Sequence, residues 1–486
     1  MFRTPIIGAA LAAALAAPVA ASAADDKELA AIRAEISAMK ASYEARLQSL
    51  EQRLQEAQAA AAQAQNAAQQ AAAAPAAPAS PAAPASPAAS AAAAPADAYV
   101  AAAPEPAPIA PPASAANAFN PAISMVLGGT MQNLSQDPSA YRLQGFMPAG
   151  GEGGPGKRSF NLGESELTLA ANIDPMFSGQ LTFSLAGDNT LSVEEAYVQT
   201  RALSDGINLR AGRFLSSIGY LNSQHAHAWD FVDAPLAYQA FFGGQYKPDG
   251  LQAKWLAPTD TFIEVGAELG SGASYPGSDR NKNGFGSAAV FAHMGDDIGD
   301  SGSWRAGLSY LRTGAASRAF DANGIDLAFT GRSSVAMADA IYKWSPNGNP
   351  TGQNLKIQGE YLRRTESGVL GTAATDGGYQ STQSGWYLQS VYQFMPNWRA
   401  GLRYDRLESG TPSIGLLRSG VLNAAELATL AAYALARSSL MVDYSPSEFA
   451  RLRLQLARDQ TRPGVTDTQI FLQYIMSLGT HAAHAF

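Results

Sequence analysis

From Ala122 to Ser477 apolar and polar residues alternate with a period of two, in sixteen segments. Two of them nearly repeat each other: Ser303-Trp-Arg-Ala-Gly-Leu-Ser-Tyr-Leu-Arg312 and Asn397-Trp-Arg-Ala-Gly-Leu-Arg-Tyr-Asp-Arg406. In an extended strand Trp304, Ala306, Leu308 and Tyr310 share one face, while Arg305, Gly307 and Ser309 share the other. Trp398, Ala400, Leu402 and Tyr404 repeat the apolar face, opposed by Arg399, Gly401, Arg403 and Asp405. An arginine is costly in a soluble β core, but it fits a wall with lipid on one side and water on the other. The pattern predicts an all-β fold, a 16-stranded antiparallel transmembrane β-barrel with a charged lumen.

Tight turns and longer loops alternate between the segments. The turns include Asp174-Pro-Met, Ser204-Asp-Gly, Ala257-Pro-Thr-Asp, Gly299-Asp-Ser-Gly, Pro346-Asn-Gly-Asn, Pro396-Asn and Ser445-Pro-Ser. The long connections centre on residues 135–157, 221–250, 270–285, 314–332, 366–382 and 409–435. Outer-membrane barrels have this layout, with the tight turns periplasmic. An even strand number then places both ends of the barrel in the periplasm. Trp255, Trp304, Trp344, Phe394, Trp398, Tyr444 and Phe449 fall beside the turns as an interfacial aromatic girdle. In the last segment Ile470, Leu472, Tyr474, Met476 and Leu478 alternate with Gln469, Phe471, Gln473 and Ser477, and the chain ends on the aromatic Phe486.

The rest of the 486-residue chain has a different composition. Met1-Phe-Arg3, an apolar run from Ile6 to Ala20 and Ala21-Ser-Ala23 read as a signal peptide over residues 1–23. Leu29, Ile32, Ile36, Met39 and Tyr43, continued by Leu47, Leu50 and Leu54, give a heptad-like helix within 24–58, a short coiled coil of several subunits or a solvated helix. Residues 59–116 are an Ala/Gln/Pro-rich linker, with eleven prolines from Pro75 to Pro112, and 117–486 form the barrel. After the signal peptide no stretch reaches the roughly 18 to 20 apolar residues of a membrane helix. Absence of cysteine removes disulfides and thiolate chemistry, and the net charge of −8 argues against a nucleic-acid partner. No cofactor is expected. No histidine has a nucleophile and acid at catalytic spacing, so no enzyme is expected either.

Placing the apolar faces on lipid leaves charges facing the pore. The basic set is Arg210, Arg305, Lys356, Arg399, Arg403, Arg451 and Arg453, and the acidic set is Glu164, Glu166, Glu195, Glu264 and Glu268. Strand order equals position around a closed barrel, so most of the two sets would face each other across a transverse field. Such charges either select solutes, with a lean toward anions, or merely keep the wall wet. The third external connection, Leu221 to Gly250, is too apolar to be solvated and would fold inward as a constriction carrying His225, His227, Trp229, Asp230 and Asp233. His225 and His227, two residues apart with both aspartates near, are metal candidates, or else a structural or pore-lining pair.

With its exported coiled coil, Val193-Glu-Glu-Ala-Tyr-Val-Gln199, Ser204-Asp-Gly206 and Leu209-Arg-Ala-Gly-Arg-Phe214, the chain resembles the phosphate-selective porin O/P type of outer-membrane channel. The stretch around His225-Ala-His-Ala-Trp-Asp-Phe231 is also similar to proteobacterial outer-membrane proteins labelled zinc-regulated. The first resemblance implies a trimeric diffusion channel in the outer membrane of a Gram-negative bacterium. The expected function is passive diffusion of small polar solutes, weakly favouring anions such as phosphate, with membrane lipid and further copies of the chain as partners. The alternatives are a metal-linked uptake receptor and a barrel-anchored tether, with the N-terminal segment in the periplasm reaching toward peptidoglycan.

Overall fold

The computed structural model describes residues 121–149, 154–187, 189–201 and 203–479. The expected signal peptide, coiled coil and linker lie outside the described residues, as do His481, His484 and Phe486.

Alternating faces drive every strand into one antiparallel sheet, because a two-faced strand buries its polar side only when the sheet curls closed. β1 (Ala122–Leu134) pairs with β2 (Ser159–Leu162) and β3 (Ser165–Asn172), which together form one crossing broken at Gly163-Glu164. A Cβ on Gly128 would stand 2.6 Å from the Glu164 carbonyl oxygen, so the break packs backbone on backbone. The wall continues through β4 (Phe177–Leu185), β5 (Leu191–Thr200), β6 (Ile207–Arg213), β7 (Asp249–Leu256), β8 (Phe262–Gly270) and β9 (Ser287–Ile298). It rises in β10 (Gly302–Ala322), β11 (Ile325–Trp344), β12 (Asn354–Gly371) and β13 (Asp376–Met395). β14 (Trp398–Glu408), β16 (Ala434–Ser447), β17 (Ala450–Arg462) and β18 (Val465–Leu478) complete the circuit, and β18 pairs back onto β1. The two-residue β15 (Ser413–Ile414) only adds to the outer end of β13. Among the described residues the barrel is thus closed and has sixteen crossings.

The outward face is apolar. Leu308 is 67% exposed and Leu402 62%, whereas the intervening Ser309 and Arg403 are buried. Ile470, Leu472, Tyr474, Met476 and Leu478 are likewise exposed on β18, with Gln469 and Phe471 turned in. At the short-turn end Trp398 and Tyr444 face each other across the β14/β16 ladder with ring centroids 4.7 Å apart. This is the face of a barrel built for hydrocarbon.

Two expected long loops are strands. Residues 314–332 continue β10 and β11 into a hairpin closed by Asn323-Gly324, both at positive φ (54° and 84°), the backbone that a two-residue turn between twisted strands requires. Residues 366–382 likewise belong mostly to β12 and β13, leaving only a connection over 372–375. The period of two continues past the height of a bilayer there with its faces exchanged, Phe320, Leu327 and Phe329 turned in and Asp321, Asp326 and Thr330 turned out. The expected turn at Ser445-Pro-Ser is instead the end of β16, where Pro446, lacking an N–H, sits at a register shift between Tyr444 and Ser447.

Candidate functional site: a loop bonded to both walls

The long loop expected to be the third external connection leaves the wall at Phe214, seven residues earlier than the expected start at Leu221, and rejoins it at Asp249. It ends in the helix α1 (Leu236–Phe242), all of whose side chains are buried. Phe214, Ile218, Leu236, Tyr238 and Phe241 are fully buried although the segment is a connection. Ile218, Leu236, Tyr238 and Phe241 pack with inward residues of the tall wall, including Leu311, Val335, Leu362, Tyr387 and Leu407. The loop therefore carries its own apolar core into the lumen.

The charged residues expected in the lumen lie on the inner side of the wall. Arg210, Lys356, Arg403, Arg451 and Arg453 are buried and Arg305 and Arg399 half-buried; Glu166, Glu195 and Glu268 are buried and Glu164 and Glu264 half-buried. Unpaired, such groups would be expensive. The loop supplies partners for many of them.

On one side the loop meets carboxylates. His225 places Nδ1 3.1 Å from Glu166 Oε2 and 3.2 Å from Glu194 Oε2, and Nε2 3.1 Å from Glu195 Oε2. His227 Nδ1 lies 2.8 Å from Glu166 Oε1, and the two imidazoles stack at 5.5 Å. Lys247, at the loop's far end, reaches Glu194 at 3.3 Å. Burial opposes charge on His225, but Glu166 and Glu194 hold its pKa well above the usual imidazole value. Nearby, Ser216 Oγ and the Ser217 N–H donate to Glu268 at 2.6 and 2.9 Å.

On the other side the loop offers aspartates to arginines. Asp230 lies 2.8 Å from Lys356 Nζ and 3.4 Å from Arg399, and Gln389 donates to it at 2.9 Å. Asp233 sits between Arg403 at 2.8 Å and Arg437 at 2.5 Å. The Trp229 carbonyl accepts from Arg451 at 3.0 Å and Arg453 at 2.7 Å. The Arg403 guanidinium stacks 4.6 Å above the Phe231 ring. α1 is set by the same logic: Asp405 accepts from the Leu236 N–H at its start, and Arg364 donates to the Ala240 carbonyl near its end, each matching the helix dipole. Between residues 225 and 233 the chain crosses from the carboxylates of β3 and β5 to the cations of β12, β14 and β16.

This corrects one grouping and adds several residues. Asp230 and Asp233 do not join His225 and His227; they bind the opposite wall, and Glu166, Glu194 and Glu195 stand beside the histidines instead. Glu194 escapes a strict alternation, which sends it to lipid. A β-bulge on β5, where the register shifts between Thr182 and Phe183, turns both Glu194 and Glu195 inward. Asp405, Arg437 and Asp443 have inward parity, yet their importance comes from partners remote in sequence. Glu264 is paired locally, to His293 at 3.0 Å and Lys254 at 3.4 Å. Arg210 donates to Gln199 at 3.0 Å and stacks 4.2 Å over Tyr197, and Arg305 lies 5.2 Å over Tyr220 of the loop.

No family model matches the chain. Among solved structures it is similar to a loop L8 deletion mutant of OmpT, an outer membrane protein of Vibrio cholerae, at TM-score 0.47 and 11% identity, covering 73% of this chain and 98% of that one. It is also similar to the outer membrane channel DcaP of Acinetobacter baumannii, at TM-score 0.44 and 12% identity, covering 73% and 96%. For the anion-selective porin from Comamonas acidovorans the TM-score is 0.46 and the identity 10%, covering 74% and 99%. In sequence it is 30% identical over 352 residues to a protein of Aquifex aeolicus (strain VF5) described as "Uncharacterized protein", a match spanning 68% of this chain and 71% of the other. By that extent of shared sequence, the chain belongs to the family of this Aquifex aeolicus protein.

Proposed function

We propose that the protein is an outer-membrane porin through which small polar solutes diffuse passively, with the third outer loop as its constriction. The observation that carries this reading is a closed barrel, apolar outside and charged inside, whose lumen is crossed by a loop bonded to both walls. In this reading the long loops face outward and the short turns the periplasm. There is no catalytic step and no cofactor. Closure at sixteen crossings favours a diffusion channel over an energy-driven receptor for metal chelates, a class with about 22 strands and a plugged lumen.

The charges around the loop support a preference for anions such as phosphate. Arg451 and Arg453 donate to the Trp229 carbonyl of the loop, and Arg453 also lies 3.9 Å from Asp443, so both guanidiniums stand at the constriction. Arg210, Arg305, Lys356, Arg399 and Arg403 add to the basic lining, and Glu164, Glu166, Glu195, Glu264 and Glu268 to the acidic one.

Self-association, in trimers, is supported by the uneven wall. β6 has 7 residues and β7 has 8, short of the roughly 9 to 11 that span a bilayer, whereas β10 has 21. A neighbouring copy against the low side would relieve that mismatch.

Planar-bilayer recording on the purified protein tests the channel. Discrete conductance steps with a reversal potential displaced toward anion permeability are expected. No conductance at any salt concentration, or clear cation selectivity, would overturn the channel or the anion preference respectively.

A further inference from the structure

We propose that Glu166, His225 and His227, completed by Glu194, form a binding site for a divalent transition-metal ion, inside the barrel at the acidic wall. One donor atom from each of Glu166, His225 and His227 lies within 4.8 Å of the other two, and the same holds for Glu164, Glu166 and Glu194. A tetrahedral ion with bonds of about 2.0 to 2.1 Å holds its donors roughly 3.3 Å apart. Glu166 meets His227 through one oxygen at 2.8 Å and His225 through the other at 3.1 Å, and Glu194 lies 3.2 Å from the same His225 nitrogen, so the donors already converge on one small volume. Two imidazoles and carboxylates suit zinc, cobalt or nickel better than calcium or magnesium.

Two observations go beyond the presence of these side chains. The first is orientation: His225 points Nδ1 into the cluster while Nε2 contacts Glu195 at 3.1 Å, the carboxylate that fixes a metal-binding imidazole in the correct tautomer. Glu195 is itself held, by the Leu215 N–H at 3.0 Å and Gln180 at 3.0 Å. The second is charge. Glu166, Glu194 and Glu195 are buried together with half-buried Glu164, and Lys247 is the lysine paired there. A divalent ion offsets most of the negative charge of such a nest. It would also tie the loop to β3 and β5. The site stands whether or not the barrel conducts, because its test reads metal and not current.

Full-length protein in detergent, stripped with a chelator, is dialysed against Zn²⁺, and bound metal is counted. The wild type is expected to hold one Zn²⁺ more per chain than the His225→Ala/His227→Ala double variant, which leaves His481 and His484 intact as a background. Glu166→Gln is expected to lose that ion, and Glu195→Gln to weaken it by about 10- to 100-fold. Co²⁺ should give the visible absorption of a tetrahedral N/O site in the wild type alone. Heat-modifiable gel mobility confirms that each variant is folded, and His225→Asn/His227→Asn, which keeps polar contacts, replaces the alanine pair where that pair fails. Equal Zn²⁺ uptake by wild type and a folded double variant, or undiminished affinity in Glu166→Gln, overturns the proposal.

Discussion

Asp230, buried, and Asp233, half-buried, hold the long loop between β6 and β7 against a wall of arginines and Lys356, and at Asp230 a lost partner cannot readily be replaced by water. Breaking such a pair on one side leaves uncompensated charge and costs about 3 to 5 kcal/mol. Asp230→Ala should therefore loosen the loop, seen as faster amide exchange at Phe231 and Val232, with the barrel strands unchanged. The Lys356 and Arg399 cations, acting against burial, lower the Asp230 pKa to about 2. A carboxylate depressed in this way contributes stability above its unfolded value near 3.9, and that contribution is lost as pH falls through 2. The basic-wall anchor should thus survive mild acid: protection of the loop amides, relative to their intrinsic exchange rates, should be the same at pH 4 as at pH 7 in the wild type and fall only toward pH 2. Loosening already complete at pH 4 would show that Asp230 is not held as described.

At the scale of elements, the third loop behaves as a small folded unit inside a barrel. Its aromatic and aliphatic side chains bury themselves on the tall wall, and its polar groups are paired across the lumen. Replacing residues 223–234 by a short Gly/Ser link should raise single-channel conductance by about twofold or more and reduce selectivity, because both the obstruction and the aspartates go. Unchanged conductance would place the narrow point elsewhere. The hairpin of β10 and β11 makes a contrasting case. Its tip rises above the membrane, where Phe320, Leu327 and Phe329 pack with Tyr379 and with Leu416, Leu427 and Leu430 of the loop before β16. That cluster is separate from the apolar core of the third loop, so shortening the hairpin should lower thermal stability and leave ion selectivity as it was.

For the whole molecule, the difference in wall height decides how the barrel meets its surroundings. The low side at β6 and β7 is where a second copy would sit, and crosslinks introduced there, for example from cysteines at Leu209 and Leu251, should join subunits in membranes. Cysteines at Leu388 and Leu402, on the opposite side, should not. Crosslinking at both positions alike would remove the argument from wall height. Charge reversal gives the matching functional prediction: Arg451→Glu with Arg453→Glu should move the reversal potential toward cations, read in the same bilayer experiment.

Strand parity, the apolar outer face, the girdle at the short turns and the inward direction of nearly all the lumen charges were legible in the sequence, because a period of two is a local property that lipid and water read independently of the rest of the fold. Sequence also marked the third loop, since so many aromatics cannot remain in solvent. It did not reach Glu194, whose face depends on a bulge formed with β4, nor the upper halves of β10 to β13, where the alternation inverts, with Phe320, Leu327, Phe329 and Tyr379 turned in and Asp321, Asp326, Thr330 and Gln380 turned out. It grouped Asp230 and Asp233 with His225 and His227 because they are near in the chain. Only the closed barrel separates them, by bringing carboxylates from β3 and β5 to one side of the loop and arginines from β14 and β16 to the other. Periodicity determines which way a residue points, while closure alone determines what it meets.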